Sequence, residues 1–233
     1  MNRDIPFRIL RGFCAIFVRT LLIWSGGYKF SGQKNVPKKG GVLIVPNHIR
    51  DGDPPVVVFA IPRYAYCMAK EELFAIKFWG KMIVWLKGFP IKRGTADRKA
   101  LKFAEERMVG GEAVIIFAEG KLSEDGELQP FFPGALLVAK RANVPIIPTA
   151  IVNTNLMMPY GIVVPRRAKC KIEVRFGEPK TYQELSGGDE SGTGMRLAAE
   201  RLHDLVYALQ QGFPAPVCNL EAGETSKKAD QNG

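Results

Sequence analysis

The chain contains only two histidines, His48 and His203. His48 stands in the run Asn47-His48-Ile49-Arg50-Asp51-Gly52-Asp53, at the end of an apolar stretch and five residues before an aspartate. Histidine is the side chain best suited to take and return a proton near neutral pH. A carboxylate within reach fixes its tautomer and favours its transient positive charge. Five residues of helix turn through about 500°, so His48 and Asp53 cannot share a helical face. They meet only if the chain turns between them, and Gly52 permits such a turn. A strand ending near Pro46 and a helix starting near Asp53 would supply it. That places the pair at the C-terminal edge of a sheet, where α/β folds usually carry their sites. A plainer reading uses the same residues, with Asp53 as a helix N-cap and His48 as a satisfied loop histidine. The two roles of Asp53 are compatible.

The elements around this run alternate. Short apolar runs at 42–45, 64–68, 89–91, 113–117 and 145–152 read as strands, and 170–176 alternates as a strand should. Helical patterns begin at Asp53-Pro54-Pro55 and span 70–86, 96–108, 133–141 and 194–211. The expected fold is α/β, a single domain with a mixed central sheet flanked by helices. The expected organisation is an amphipathic N-terminal segment over residues 1–30, a catalytic domain over 31–212 and a polar, disordered tail over 213–233.

Two helices carry basic stripes beside wide apolar faces. In the helix from Ile5 to Trp24, Arg8, Arg11 and Arg19 fall within an arc of roughly 80°. Phe7, Phe13, Ile16, Phe17, Leu21 and Ile23 share the remaining surface. This asymmetry suits a helix lying in a membrane interface. In 70–86, Lys70, Lys77 and Lys81 line up within about 40° if the helix is continuous, with Phe74, Phe78, Trp79 and Trp85 around them. No run is apolar and unbroken enough for a spanning helix, because 142–165 is interrupted by four prolines. The arginines within the N-terminal stretch argue against a secretory signal. The net charge of +10 favours anionic partners. Nucleic acid fits that charge but finds no reader motif. Cys14, Cys67, Cys170 and Cys218 are far apart and form no C-x-x-C pair, so they read as reduced thiols, and no metal site is expected.

Asn47-His48 followed by four residues and Asp53 resembles the first signature of the glycerolipid acyltransferases. Further signatures follow in order. Gly88-Phe89-Pro90-Ile91-Lys92-Arg93 resembles the second, which ends in a substrate-binding arginine. Phe117-Ala118-Glu119-Gly120-Lys121-Leu122-Ser123 resembles the third, usually Phe-Pro-Glu-Gly-Thr-Arg-Ser, and Val144-Pro145-Ile146-Ile147-Pro148 the fourth. Lys70-Glu71-Glu72-Leu73-Phe74 resembles a stretch common between the first two. The likeness runs over about residues 40–180.

The resemblance implies transfer of a fatty acyl group from acyl-CoA or acyl carrier protein to the hydroxyl of a lysophospholipid, foremost 1-acylglycerol-3-phosphate, in phospholipid biosynthesis. It implies His48 as general base and Asp53 as its orienting partner. It assigns Asn47, Lys92, Arg93, Glu119, Gly120 and Lys121 to substrate binding, with Arg93 clamping a phosphate. No cofactor and no metal are expected. Membrane phospholipids and the acyl donor are the expected partners, and the expected location is the cytoplasmic face of a membrane, peripheral or monotopic. The third signature departs from the usual form, because Leu122 stands where the family has a phosphate-contacting arginine. The acceptor is therefore open between lysophosphatidic acid and another lysolipid or lipid alcohol. Rival classes are a non-catalytic module that binds anionic lipid, and a hydrolase in which water replaces the lysolipid.

Overall fold

The computed structural model describes residues 4–92, 97–123, 127–161 and 164–212. Arg93, Cys218 and the polar tail over 213–233 lie outside the described residues. Helix α1 (Asp4–Ser25) leads into β1 (Tyr28–Ser31), a short 3-10 turn (Gln33–Asn35) and β2 (Val42–Pro46). Then come α2 (Asp53–Ala60), β3 (Ala65–Lys70), α3 (Glu71–Phe74), α4 (Lys77–Trp85), β4 (Gly88–Ile91), α5 (Arg98–Val109) and β5 (Ala113–Ile115). The chain continues through α6 (Gly134–Ala142), β6 (Ile146–Val152), α7 (Thr154–Met157), β7 (Ile172–Phe176), α8 (Tyr182–Ser186) and α9 (Gly192–Gln211).

The described strands form one mixed sheet in the order β1-β7-β6-β2-β5-β3-β4. Every pairing is parallel except β6–β7. The central strands are apolar throughout because both faces are covered. Leu43, Val45, Val114 and Ile146 point to one side, where Ala104 and Met108 of α5, Leu136 of α6 and Leu202 of α9 pack. Val42, Ile44, Ile115 and Ile147 point to the other, against Val56 and Val57 of α2 and Leu22 of α1. The layers are therefore helix, sheet, helix, as the alternation of elements predicts.

Four details depart from the sequence reading. Tyr28–Ser31 is a strand of the main sheet, paired with β7, so a boundary at residue 30 cuts through it; the helix itself ends at Ser25. The single helix expected over 70–86 is two. Lys70 is the last residue of β3, paired opposite Ile91, and an extended Ile76 separates α3 from α4. The lysine stripe from Lys70 to Lys81 therefore does not exist as one face. The two short helices fold tightly together at Gly80, where a Cβ would stand 2.3 Å from the Phe74 carbonyl oxygen. Last, Cys170 is disulfide-bonded, so the expectation of four reduced thiols fails there. Cys14 and Cys67 are free thiols.

Helix α1 docks by one narrow face. Val18, Leu21 and Leu22 meet the core. Arg11 reaches the Arg63 carbonyl at 3.4 Å and stacks on the Tyr64 ring at 4.3 Å. The opposite face leaves Ile9, Phe13, Ile16, Phe17, Ile23 and Trp24 bare, with Phe13 and Phe17 each 69% exposed. On the same flank, Tyr64 also receives Lys87, two residues past the end of α4, at 5.7 Å. Val84 and Trp85 of α4 are likewise exposed. Among the described residues no helix is long and apolar enough to cross a membrane.

The Gly80 contact yields a direct test. Gly80→Ala should destabilise the fold by about 1–3 kcal/mol, because the added methyl meets backbone that cannot rotate away. Urea unfolding followed by circular dichroism measures it, and an unchanged midpoint would refute the close packing of α3 on α4.

Candidate active site

The site lies where parallel strands end. β2 lies between β5 and β6, with Ile44 opposite Ile115 and Pro46 opposite Thr149. The turn carrying His48 leaves β2 beside the segment leaving β5, which carries Phe117 to Ser123. β4 ends at Ile91, so Lys92 leaves the same edge of the sheet.

His48 Nδ1 stands 3.1 Å from Asp53 Oδ2, and the two residues are 2% and 0% exposed. The same Oδ2 accepts the Arg50 backbone N–H at 2.7 Å, while the Asp53 N–H donates to the Arg50 carbonyl at 3.0 Å. Asp53 Oδ1 is buried with no hydrogen-bond partner. Asp53 is also the first residue of α2, where the helix dipole favours its negative charge. With Nδ1–H donated to Asp53, the neutral imidazole carries its lone pair on Nε2, the form a general base requires. Phe117 packs on the His48 ring at 4.1 Å between centroids.

The turn is compact for a steric reason. Gly52 has φ −75° and ψ −14°, ordinary right-handed values, so its conformational freedom is not used. Its missing Cβ is what matters, since one there would sit 2.9 Å from Met158 Sδ.

Two residues expected to bind substrate are bonded to the backbone that shapes the turn. Asn47 Nδ2 donates to the Ile151 carbonyl at 2.9 Å, and its Oδ1 accepts the Ile151 N–H at 2.6 Å. The amide thereby clasps β6, and Asn47 does not line the cavity described below. Glu119 is 1% exposed. Its Oε1 accepts the His48 N–H at 2.5 Å and its Oε2 accepts the Gln129 N–H at 2.9 Å. Glu119 is likewise absent from the cavity wall. Ser123 N–H donates to the His48 carbonyl at 3.0 Å, and Arg50 Nη1 donates to the Ser123 carbonyl at 2.7 Å. Sequence reasoning missed these roles, because the bonds that tie the turn to β6 and to the segment after β5 join residues about 70 to 100 apart.

His48 opens on a cavity of about 460 Å³. Met68, Ile91, Leu101, Ile116, Phe117 and Phe132 make its wall largely apolar. Gly120 lies on this wall with φ +69°, a conformation that suits glycine. Lys92 and Asp97 stand on it too. Lys92 is well exposed, and its Nζ is 3.9 Å from Glu71 Oε2. Asp97 caps α5. The backbone N–H groups of Lys92, Ala100 and Lys99 hold its carboxyl below the ordinary carboxylate value. Lys121 is exposed and lines neither this cavity nor its smaller neighbour. Burial pushes the Cys67 thiol up to about 12, which leaves it an inert core residue rather than a nucleophile. His203 lies in α9 against Phe131, away from the pair. Among the described residues no group of three His, Cys, Asp or Glu side chains could hold a metal ion.

Residues 27–152, more than half of the chain, match the sequence profile of the family described as Acyltransferase. The chain belongs to the acyltransferase family. The 1-acyl-sn-glycerol-3-phosphate acyltransferase of Bacillus subtilis is 30% identical over 206 residues, which cover 85% of this chain and 98% of that protein. The enzyme of the same name from Borreliella burgdorferi is 28% identical over 141 residues, covering 57% of this chain and 55% of the relative. The crystal structure of the 1-acyl-sn-glycerophosphate acyltransferase PlsC from Thermotoga maritima superposes with a TM-score of 0.71 at 23% identity, over 92% of this chain and 84% of that one. That likeness shows that this acyltransferase shares the fold.

Glu119 provides the test of this scaffold. Glu119→Gln keeps the shape but turns an amide NH₂ against a backbone N–H, at a cost of about 1–3 kcal/mol. The thermal midpoint should fall, and kcat should fall with little change in KM, because the substituted group touches His48 rather than substrate. A raised KM at unchanged stability would return Glu119 to the acceptor site.

Proposed function

We propose that the chain is a 1-acylglycerol-3-phosphate O-acyltransferase, moving a fatty acyl group from acyl-CoA or acyl carrier protein to lysophosphatidic acid and forming phosphatidic acid. The observation that carries this reading is the buried His48–Asp53 pair opening on a largely apolar cavity. The names of the relatives point to the same acceptor.

In this reading the acceptor hydroxyl gives its proton to His48 Nε2 as its oxygen attacks the thioester carbonyl carbon. Asp53 supports the imidazolium through the Nδ1 hydrogen bond. The tetrahedral intermediate then collapses, the C–S bond breaks, and the departing thiolate takes the proton back from His48. Atoms and charge balance without an acyl-enzyme. The apolar wall accommodates a fatty chain, and Lys92 stands on that wall.

The bare face of α1 supports monotopic attachment. A helix that docks through Arg11, Val18 and Leu22 leaves Phe13, Phe17 and Trp24 to enter a lipid interface. The net charge of +10 adds attraction to anionic headgroups.

Two experiments test these claims. Acyl-CoA turnover by the purified protein should depend on lysophosphatidic acid and yield phosphatidic acid, and His48→Ala should lower kcat by roughly 10²–10⁴-fold. Release of free fatty acid without acceptor dependence would instead make it a hydrolase, and transfer only to other lysolipids would change the acceptor. For attachment, Phe13→Glu with Phe17→Glu should weaken binding to phosphatidylglycerol-containing vesicles by at least about 10-fold. The thermal midpoint should hold, since both side chains already face water. Undiminished vesicle binding would remove α1 from the interface.

A further inference from the structure

A second, smaller cavity of about 220 Å³ opens on the other side of the catalytic turn. Arg50, Asp51, Leu122, Met158 and Tyr160 stand on its wall. Arg50 is 9% exposed. Its Nη1 donates to the carbonyls of Ile49 and Ser123, at 2.5 and 2.7 Å. Its Nε is buried and has no hydrogen-bond partner. The Tyr160 ring lies 5.7 Å from its guanidinium carbon. Among the described residues no carboxylate forms an ion pair with Arg50. Asp51 shares the cavity wall but is exposed to water. The Asp53 carboxylate accepts the backbone N–H of Arg50 and not its side chain.

Burying a guanidinium without a counter-ion is unfavourable. Two neutral carbonyls satisfy only part of a five-donor fork. A ligand that brings an anion into the cavity supplies what is missing. The position narrows the choice. Arg50 is two residues from His48, and Ser123 binds both, through its N–H to His48 and its carbonyl to Arg50. In a glycerol phosphate ester the phosphate lies a few bonds from the reacting hydroxyl. In an acyl-CoA the phosphates lie a whole pantetheine arm from the thioester.

We propose that Arg50 binds the phosphate of the acyl acceptor in this cavity and selects phosphate-bearing lysolipids over neutral ones. This rests on the acyltransferase reading above. Leu122 and Tyr160 stand on the same wall as Arg50. An arginine introduced at 122 would enter the same cavity from the neighbouring segment.

The test compares wild type, Arg50→Gln, Arg50→Lys and the double variant Arg50→Gln/Leu122→Arg. Each is assayed with one acyl-CoA and two acceptors, lysophosphatidic acid and monoacylglycerol. The ratio of the two kcat/KM values cancels any loss of folded protein. Binding of glycerol 3-phosphate without donor is measured in parallel by calorimetry. The ratio should fall about 10–100-fold in Arg50→Gln, as for loss of hydrogen bonds to a charged group. It should fall less in Arg50→Lys and recover in part in the double variant, and glycerol 3-phosphate binding should follow the same order. Equal loss on both acceptors would make Arg50 a splint for the turn and overturn the proposal. So would an unchanged ratio, or a rise confined to the KM for acyl-CoA. If wild type transfers to no lysolipid, the acyltransferase reading fails by itself. Glycerol 3-phosphate binding that is lost in Arg50→Gln but kept in His48→Ala would then still support the anion subsite, and binding indifferent to Arg50 would overturn it.

Discussion

Everything at the active edge depends on two carboxylates placed inside the protein. Asp53 and Glu119 are both removed from water, and each accepts backbone N–H groups. Such donors do not swing away, so each carboxylate keeps its grip on the histidine turn. Glu119 grips the turn at the His48 amide and Asp53 grips it at the Arg50 amide and the imidazole. The result is an imidazole whose orientation is set at both ends of its own residue, before any substrate arrives.

The cavity on one side of that turn and the cavity on the other differ in chemistry. The larger is walled by side chains such as Met68, Leu101 and Phe132 and is suited to hydrocarbon. The smaller contains a buried guanidinium and is suited to an anion. A lysolipid has one portion of each kind, with its hydroxyl between them. His48 stands on the wall of the first and two residues from Arg50 in the second, so the turn divides the molecule it would act upon.

What was legible in the sequence was what local pattern controls. The central strands could be read because burial on both faces makes them continuous apolar runs, and the helix at Asp53 could be read from its prolines. β1 was missed because an alternation of only four residues is too short to stand out, and only pairing with β7 makes them a strand. The 70–86 break was hidden because the run contains no proline and its lysines share a helical period, while the tight contact of Gly80 with Phe74 is tertiary. The His48–Asp53 pair was legible from spacing and residue type, and the acyltransferase family from its ordered signatures. The roles of Asn47 and Glu119 were not, since each bonds to a backbone group far along the chain, and no side-chain pattern marks a backbone group. Arg50 drew no attention because a cation in a polar turn reads as solvated until its burial is known.

The Asn47 clasp has a consequence for the order in which the molecule is made. Asn47 and Ile151 are 104 residues apart, and the pairing of β2 with β6 spans the same distance. Loops of that length close late, after local helices and neighbouring strands have formed. Helix α1 is complete long before, since its hydrogen bonds are all local. A chain still being synthesised therefore displays its bare phenylalanine face while the histidine turn has neither its β6 clasp nor its Glu119 anchor. In this architecture the surface that can find an interface matures first, and the chemistry is assembled last.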